Sequence, residues 1–149
     1  MADNQRSRSC EKGFSFIELL FVLAIIGIVA GLALPALVRS QDASKEASAI
    51  GSIRAIFTSQ MAYSATAGNG NFGTLEELAA SGYLDGAVVD GISNDYEFSL
   101  SEDGTSFAVS ARPLGPNAAQ MRSFYCDETG MIRWAIGAPA NASSPVLGN

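Results

Sequence analysis

Twenty consecutive residues, Leu19 to Val38, carry no charge. At about 1.5 Å per residue such a run makes a helix of roughly 30 Å, the thickness of one bilayer core. The pattern changes after Arg39 but stays helical. Ala43, Ala47, Ile50, Ile53, Phe57 and Met61 recur at intervals of three and four, which is one apolar face of an amphipathic helix. Ser44, Lys45, Ser48, Ser52 and Ser59 fall opposite, and Asp42 and Glu46 beside Lys45 mark a solvated side. Gly68-Asn69-Gly70 is a strong stop. The pattern predicts one helix from about residue 14 to 67, roughly 80 Å long, with Pro35 loosening or kinking it locally.

Beyond the stop the period shortens. Thr74 and Glu77 form a capping box, Glu76 and Glu77 suit a first turn, and Gly82 suits an end, so a short helix is expected there. Residues 85–95, rich in Gly, Asp and Asn, read as loop. "DYEFSLS", "TSFAVSAR", "RSFYC" and "MIRWAI" are short alternating or aromatic-rich runs, with Asp103-Gly104 and Thr129-Gly130 as turns between two pairs. They predict an antiparallel sheet of three or four strands. "GAPANASSPVLGN" reads as a mobile Pro/Ala/Ser/Gly tail. The fold class expected is α+β: a long helix packed on a small antiparallel sheet. The divisions are a polar leader over 1–13, an apolar helix over 14–38 and its amphipathic continuation over 39–67. A loop with a short helix follows over 68–94, then the sheet over 95–136 and the tail over 137–149.

Composition narrows the function. The chain has 149 residues, room for one domain, and a net charge of −6 that argues against nucleic acid as a partner. It has no histidine, so the commonest general base and metal ligand at neutral pH is missing. Cys126 therefore has no imidazole to activate it as a nucleophile. Cys10 and Cys126 alone are no metal site and a poor disulfide framework. Asp85, Asp90, Asn94 and Asp95, or Glu102 and Asp103, could offer oxygens to calcium, but their spacing fits no EF-hand and turn chemistry accounts for them. No catalytic residue, metal or cofactor is expected. Asn141-Ala142-Ser143 fits a glycosylation sequon.

One residue stands out in the apolar run. Glu18 lies just inside its edge, where an unpaired carboxylate in hydrocarbon costs several kcal/mol. A cleaved signal peptide is a poor reading, because the run is long and this acid is wrong for it. A lipoprotein reading fails because the apolar stretch follows Cys10. Arg6, Arg8 and Lys12 place the leader in the cytoplasm and the chain after Arg39 across the membrane.

The stretch Lys12-Gly13-Phe14-Ser15-Phe16-Ile17-Glu18-Leu19-Leu20, with the apolar run through Pro35, resembles the type IV pilin family, including the pseudopilins of type II secretion. The resemblance covers about the first quarter of the chain. It implies that a prepilin peptidase cuts between Gly13 and Phe14 and N-methylates Phe14. It implies that Glu18 pairs with the terminal amine of a neighbouring subunit during assembly. Cys10 leaves with the leader, so the disulfide that staples many family members cannot form within this chain. Gly27 and Gly31 form a GxxxG pair that permits close helix approach, and with Pro35 they mark where the helix can loosen.

The function implied is structural: a subunit of a type IV pilus serving adhesion, motility or DNA uptake. The alternative is a pseudopilin of a type II secretion system. A further one is a single-span anchored periplasmic binding protein that keeps its leader. The partners implied are further copies of the chain, the peptidase, membrane lipid and the inner-membrane machinery of a pilus or secretion system. Location would pass from the inner membrane to an extracellular pilus or a periplasmic pseudopilus.

Overall fold

The computed structural model describes residues 13–84 and 88–148. The leader before Gly13, with Cys10, lies outside the described residues, as does Asp85 of the loop. The chain divides into two compact units, one ending at Arg39 and one beginning at Ser40. Helix α1, Phe16–Ala65, contributes to both, and its helical assignment runs through Pro35.

In the first unit, Gly13 to Ser15 precede the helix and α1 follows to Arg39. No described residue of this unit is buried.

In the second unit, the remainder of α1 ends at Ala65. The amide of Gly68 caps the Tyr63 carbonyl at 2.8 Å and that of Gly70 the Ser64 carbonyl at 2.8 Å. Asn69 and Gly70 both take positive φ, 49° and 94°, which turns the chain out of the helix. Helix α2, Leu75–Ala80, starts on the expected capping box: the Glu77 amide donates to Thr74 Oγ1 at 3.1 Å, and the Thr74 amide to Glu77 Oε2 at 2.9 Å.

The sheet is an antiparallel meander of five strands in the order β1 to β5: Ile92–Ser93, Tyr96–Glu102, Phe107–Pro113, Arg122–Asp127 and Arg133–Ile136. A 3-10 turn at Ala118–Gln120 links β3 to β4. The three or four strands expected are corrected to five, and the sheet begins at Ile92 rather than at residue 95. The extra strand is β1, paired Ser93 to Tyr96 across Asn94 and Asp95. Both turn residues have positive φ, 50° and 60°, the geometry of a two-residue hairpin that matches strand twist.

The core lies between α1 and the inner face of the sheet. Ile53 and Ile56 are fully buried against Tyr96, Phe98, Val109 and Phe124, with Leu78 of α2 closing one end. Each such aliphatic side chain is worth about 1.5–3 kcal/mol on burial. The buried face of α1 is corrected in part: Ile53 is buried and Ile50 and Phe57 pack against the core as expected, but the stripe is rotated. Ala43 and Ala47 are exposed, while Ile50, Phe57 and Met61 are half-buried. The buried stripe is Ala49, Ile53, Ile56, Ser59 and Gln60. It includes polar side chains because each has a backbone partner: Ser59 Oγ donates to the Tyr83 carbonyl and Gln60 spans Gly73.

The segment expected as a mobile tail is tied down. Ala140 is buried and its amide donates to Ser123 Oγ at 2.9 Å. Further on, the Trp134 amide donates to the Pro145 carbonyl at 3.0 Å and the Leu147 amide to the Ile132 carbonyl at 2.7 Å. This segment covers the free edge of β5, which an unprotected strand would otherwise present to other chains.

Candidate functional site

The first unit is a surface in need of cover. Phe14, Phe16, Phe21, Leu32 and the other large apolar side chains from Phe14 to Val38 are all exposed. By length and composition α1 can cross a membrane, and none of its most apolar stretch is buried within the chain. Leaving such a run in water would forgo roughly tens of kcal/mol. An apolar surrounding would remove that cost.

Glu18 sits in the first turn of α1. The turn closes with the Leu19 amide on the Ser15 carbonyl at 3.2 Å. The unpaired amides of a helix start carry partial positive charge, so this is a favourable place for a carboxylate. Gly13 and Phe14 lie just before the helix, outside regular structure and exposed. The junction between them is thus open backbone, and Phe14 stands four residues from Glu18. A side chain added at Gly13 would meet no atom of the chain within 4 Å. Gly27 and Gly31, four apart, share one face of α1 and likewise have nothing within 4 Å of a Cβ position. Pro35 follows one turn later within the same helix. Glu18, Gly27, Gly31 and Pro35 share one exposed helix, and Gly13 and Phe14 lead into it. What they can do is set by what packs against it.

The second unit has a polar clasp that sequence reasoning passed over. Glu46 of α1 accepts from the Arg122 amide at 2.9 Å and from Arg122 Nε at 2.8 Å, with Nη2 at 2.7 Å. Both guanidinium nitrogens meet Oε2 while the backbone amide takes Oε1, and such charge-assisted bonds are strong for their type. The Arg122 guanidinium also lies 6.0 Å from the Phe124 ring centre and 5.8 Å from that of Trp134. Lys45 pairs with Asp95 at 2.8 Å, and that hydrogen bond raises its pKa. Tyr96 is buried and donates to the Arg122 carbonyl at 2.7 Å, and burial pushes its hydroxyl pKa well above the ordinary value. The spacing of Asp42, Lys45, Glu46 and Ala49 held this signal, as the polar start of the stripe that buries Ile53.

Cys126 is buried, and burial followed by the nearby Asp127 pushes its thiol up to about 11. Asp103 is engaged as a turn residue, accepting from the Ser106 amide at 2.7 Å and the Thr105 amide at 3.1 Å. Among the described residues no group of three or more Cys, Asp or Glu side chains is placed to hold a metal ion.

A membrane-anchored α+β protein with an acid at the head of its apolar helix is the class that this geometry defines. Residues 8–34 match the family described as the prokaryotic N-terminal methylation motif. The type IV major pilin protein PilA of Myxococcus xanthus is 40% identical over 52 residues, covering 35% of this chain and 24% of that protein. By the motif and this match, the N-terminal region is similar to that of a type IV major pilin. The match spans about a quarter of that relative's length, 24%. No solved structure matches the chain significantly.

Proposed function

We propose that this chain is a pilin subunit, cut between Gly13 and Phe14 by a prepilin peptidase, N-methylated at Phe14 and assembled into a type IV pilus. The observation that carries the reading is the fully exposed apolar helix with one acid in its first turn. Lipid covers that surface before assembly, and the same helices of other copies cover it afterwards. Cutting creates a positive α-amine at Phe14, and Glu18 supplies the complementary charge on a neighbouring copy. A paired carboxylate costs far less in a low-dielectric core than a lone one, so the need for a partner selects one axial register. Gly27 and Gly31 allow close approach of neighbouring helices, and Pro35 lets α1 adjust between them. The divisions at residues 13, 38 and 67 then separate leader, filament core and the helix that carries the outer unit. The name of the Myxococcus xanthus match, a major pilin, favours a pilus over a pseudopilus.

The test is Glu18→Gln. The amide is near in size and less costly in lipid, so insertion and leader removal should proceed. Breaking one side of a buried pair costs about 3–5 kcal/mol. Repeated at each subunit, that loss should reduce sheared-fibre yield strongly while processed chain accumulates in the membrane. Normal fibre yield from this variant would refute the pairing.

A further inference from the structure

The second unit offers a knob and a hole at opposite ends of its sheet. The hole is a groove of about 230 Å³ between α1, the β4–β5 turn and the segment beside β5. Phe57, Ile132 and Leu147 line it, with Met131 and Val146 half open at its mouth. It is smaller than the roughly 300–1,000 Å³ typical of small-molecule sites. An aliphatic side chain suits it better than a cofactor.

Arg54 stands on its rim. The other cations of this unit are largely engaged. Lys45 pairs with Asp95, Arg122 with Glu46, and Arg133 donates to the Ser144 carbonyl. Arg112 faces Glu97 across the β2–β3 register. Among the described residues Arg54 makes no ion pair, in a unit where acids outnumber cations. The groove therefore favours an apolar side chain accompanied by negative charge.

One surface residue answers that description. Ile92, on the outermost strand β1, is 58% exposed, the most of any large apolar side chain described in this unit. Asp90 lies two residues before it, and Glu97 is its register partner on β2. Asp90 is exposed and makes no ion pair among the described residues, while Glu97 is the acid already set against Arg112. Ile136 is nearly as exposed, but its register partner is Arg122, the wrong charge for Arg54. The strand order puts β1 and the β5 side at opposite edges. A contact joining them is head-to-tail, and such contacts propagate when the rotation does not close.

We propose that Ile92 of one copy seats in the groove of the next, with Asp90 facing Arg54. This contact rests on the pilin reading above and adds to it which outer surfaces meet. Its test uses the full chain in cells that assemble it. A benzophenone side chain placed at position 92 should cross-link, in sheared fibres, to the peptide containing Phe57 or to that containing Met131. Ile92→Asp should lower fibre yield about tenfold or more, equivalent to about 1.4 kcal/mol per contact, with processed chain in the membrane unchanged. Arg54→Glu should lower it as well. Adding Asp90→Arg to Arg54→Glu should bring the yield back to within about twofold of the unaltered chain, since every contact regains opposite charges. Cross-links to lipid or to other peptides, or a charge swap that fails to restore fibres, would overturn the contact. If fibres form normally from Ile92→Asp, the contact falls and the pilin reading stands. If the unaltered chain forms no fibres, both fall together.

Discussion

Gln60→Leu is the most informative change in the second unit. Gln60 is fully buried, and its amide meets both backbone groups of Gly73: Nε2 donates to the carbonyl at 2.6 Å, and the Gly73 amide donates to Oε1 at 3.1 Å. It ties the loop after α1 to the helix itself. Gly73 is buried as well, and a Cβ there would come within 2.8 Å of the Tyr63 ring, so the loop has no slack for a larger residue. Leucine keeps the volume and removes both bonds. Each buried backbone group left unpaired costs about 1–3 kcal/mol, and the added apolar burial offsets part of the total. The expected loss is about 2–4 kcal/mol. For a unit of this size that is roughly 8–16 °C in Tm. The assay is urea unfolding of a fragment beginning at Ser40, which should fold without detergent because the exposed apolar helix is gone. Amide exchange at Gly73 should accelerate in parallel. A change below about 0.5 kcal/mol would mean that water reaches Gly73 and that the clamp does not hold the loop.

Other perturbations test separate parts. Gly130→Ala places a Cβ 3.0 Å from the Phe57 ring at a φ of +74°, so the same fragment should lose about 1–3 kcal/mol in urea unfolding. Asp103 has its pKa lowered chiefly by the Ser106 amide and hydroxyl, then by Thr105. A group depressed in the folded state contributes above its unfolded pKa and loses that contribution as pH falls through the folded one. NMR titration should show Asp103 protonating below the ordinary aspartate range, with the β2–β3 turn loosening only there. Cys126, with its thiol pushed up to about 11, should resist iodoacetamide at pH 8 in the folded fragment and react readily in urea, as read by mass spectrometry.

Much of this molecule was legible in its sequence because the signals were local. The capping box at Thr74 and Glu77, the stop at Gly68-Asn69-Gly70 and the uncharged run each report one stretch of chain. The misreadings came where a second segment decides. On α1, Phe57 and Ile56 are both apolar, and only the position of the sheet selects Ile56 for full burial. Gln60 looked polar and was passed over, because its partner is the backbone of Gly73 and leaves no mark on composition. β1 was read as loop because it is two residues long and its turn is Asn94-Asp95 rather than the usual Asn-Gly. The Pro/Ala/Ser segment looked mobile, yet β5 offers it an edge to pair with. For the candidate site the reverse holds. The roles proposed for Gly13, Phe14 and Glu18 rest on residue type and spacing along the chain, while those proposed for Arg54 and Ile92 come only from the folded surface.

The central claim is that the chain is cut before Phe14, methylated there and polymerised. Mass spectrometry of sheared surface fibres tests it most directly. The account predicts a terminal peptide beginning at Phe14 and carrying one added methyl group, with no residue of the leader present. Fibres whose subunits keep Met1 or Ala2, or fibres free of this chain in cells that express it, would contradict the account.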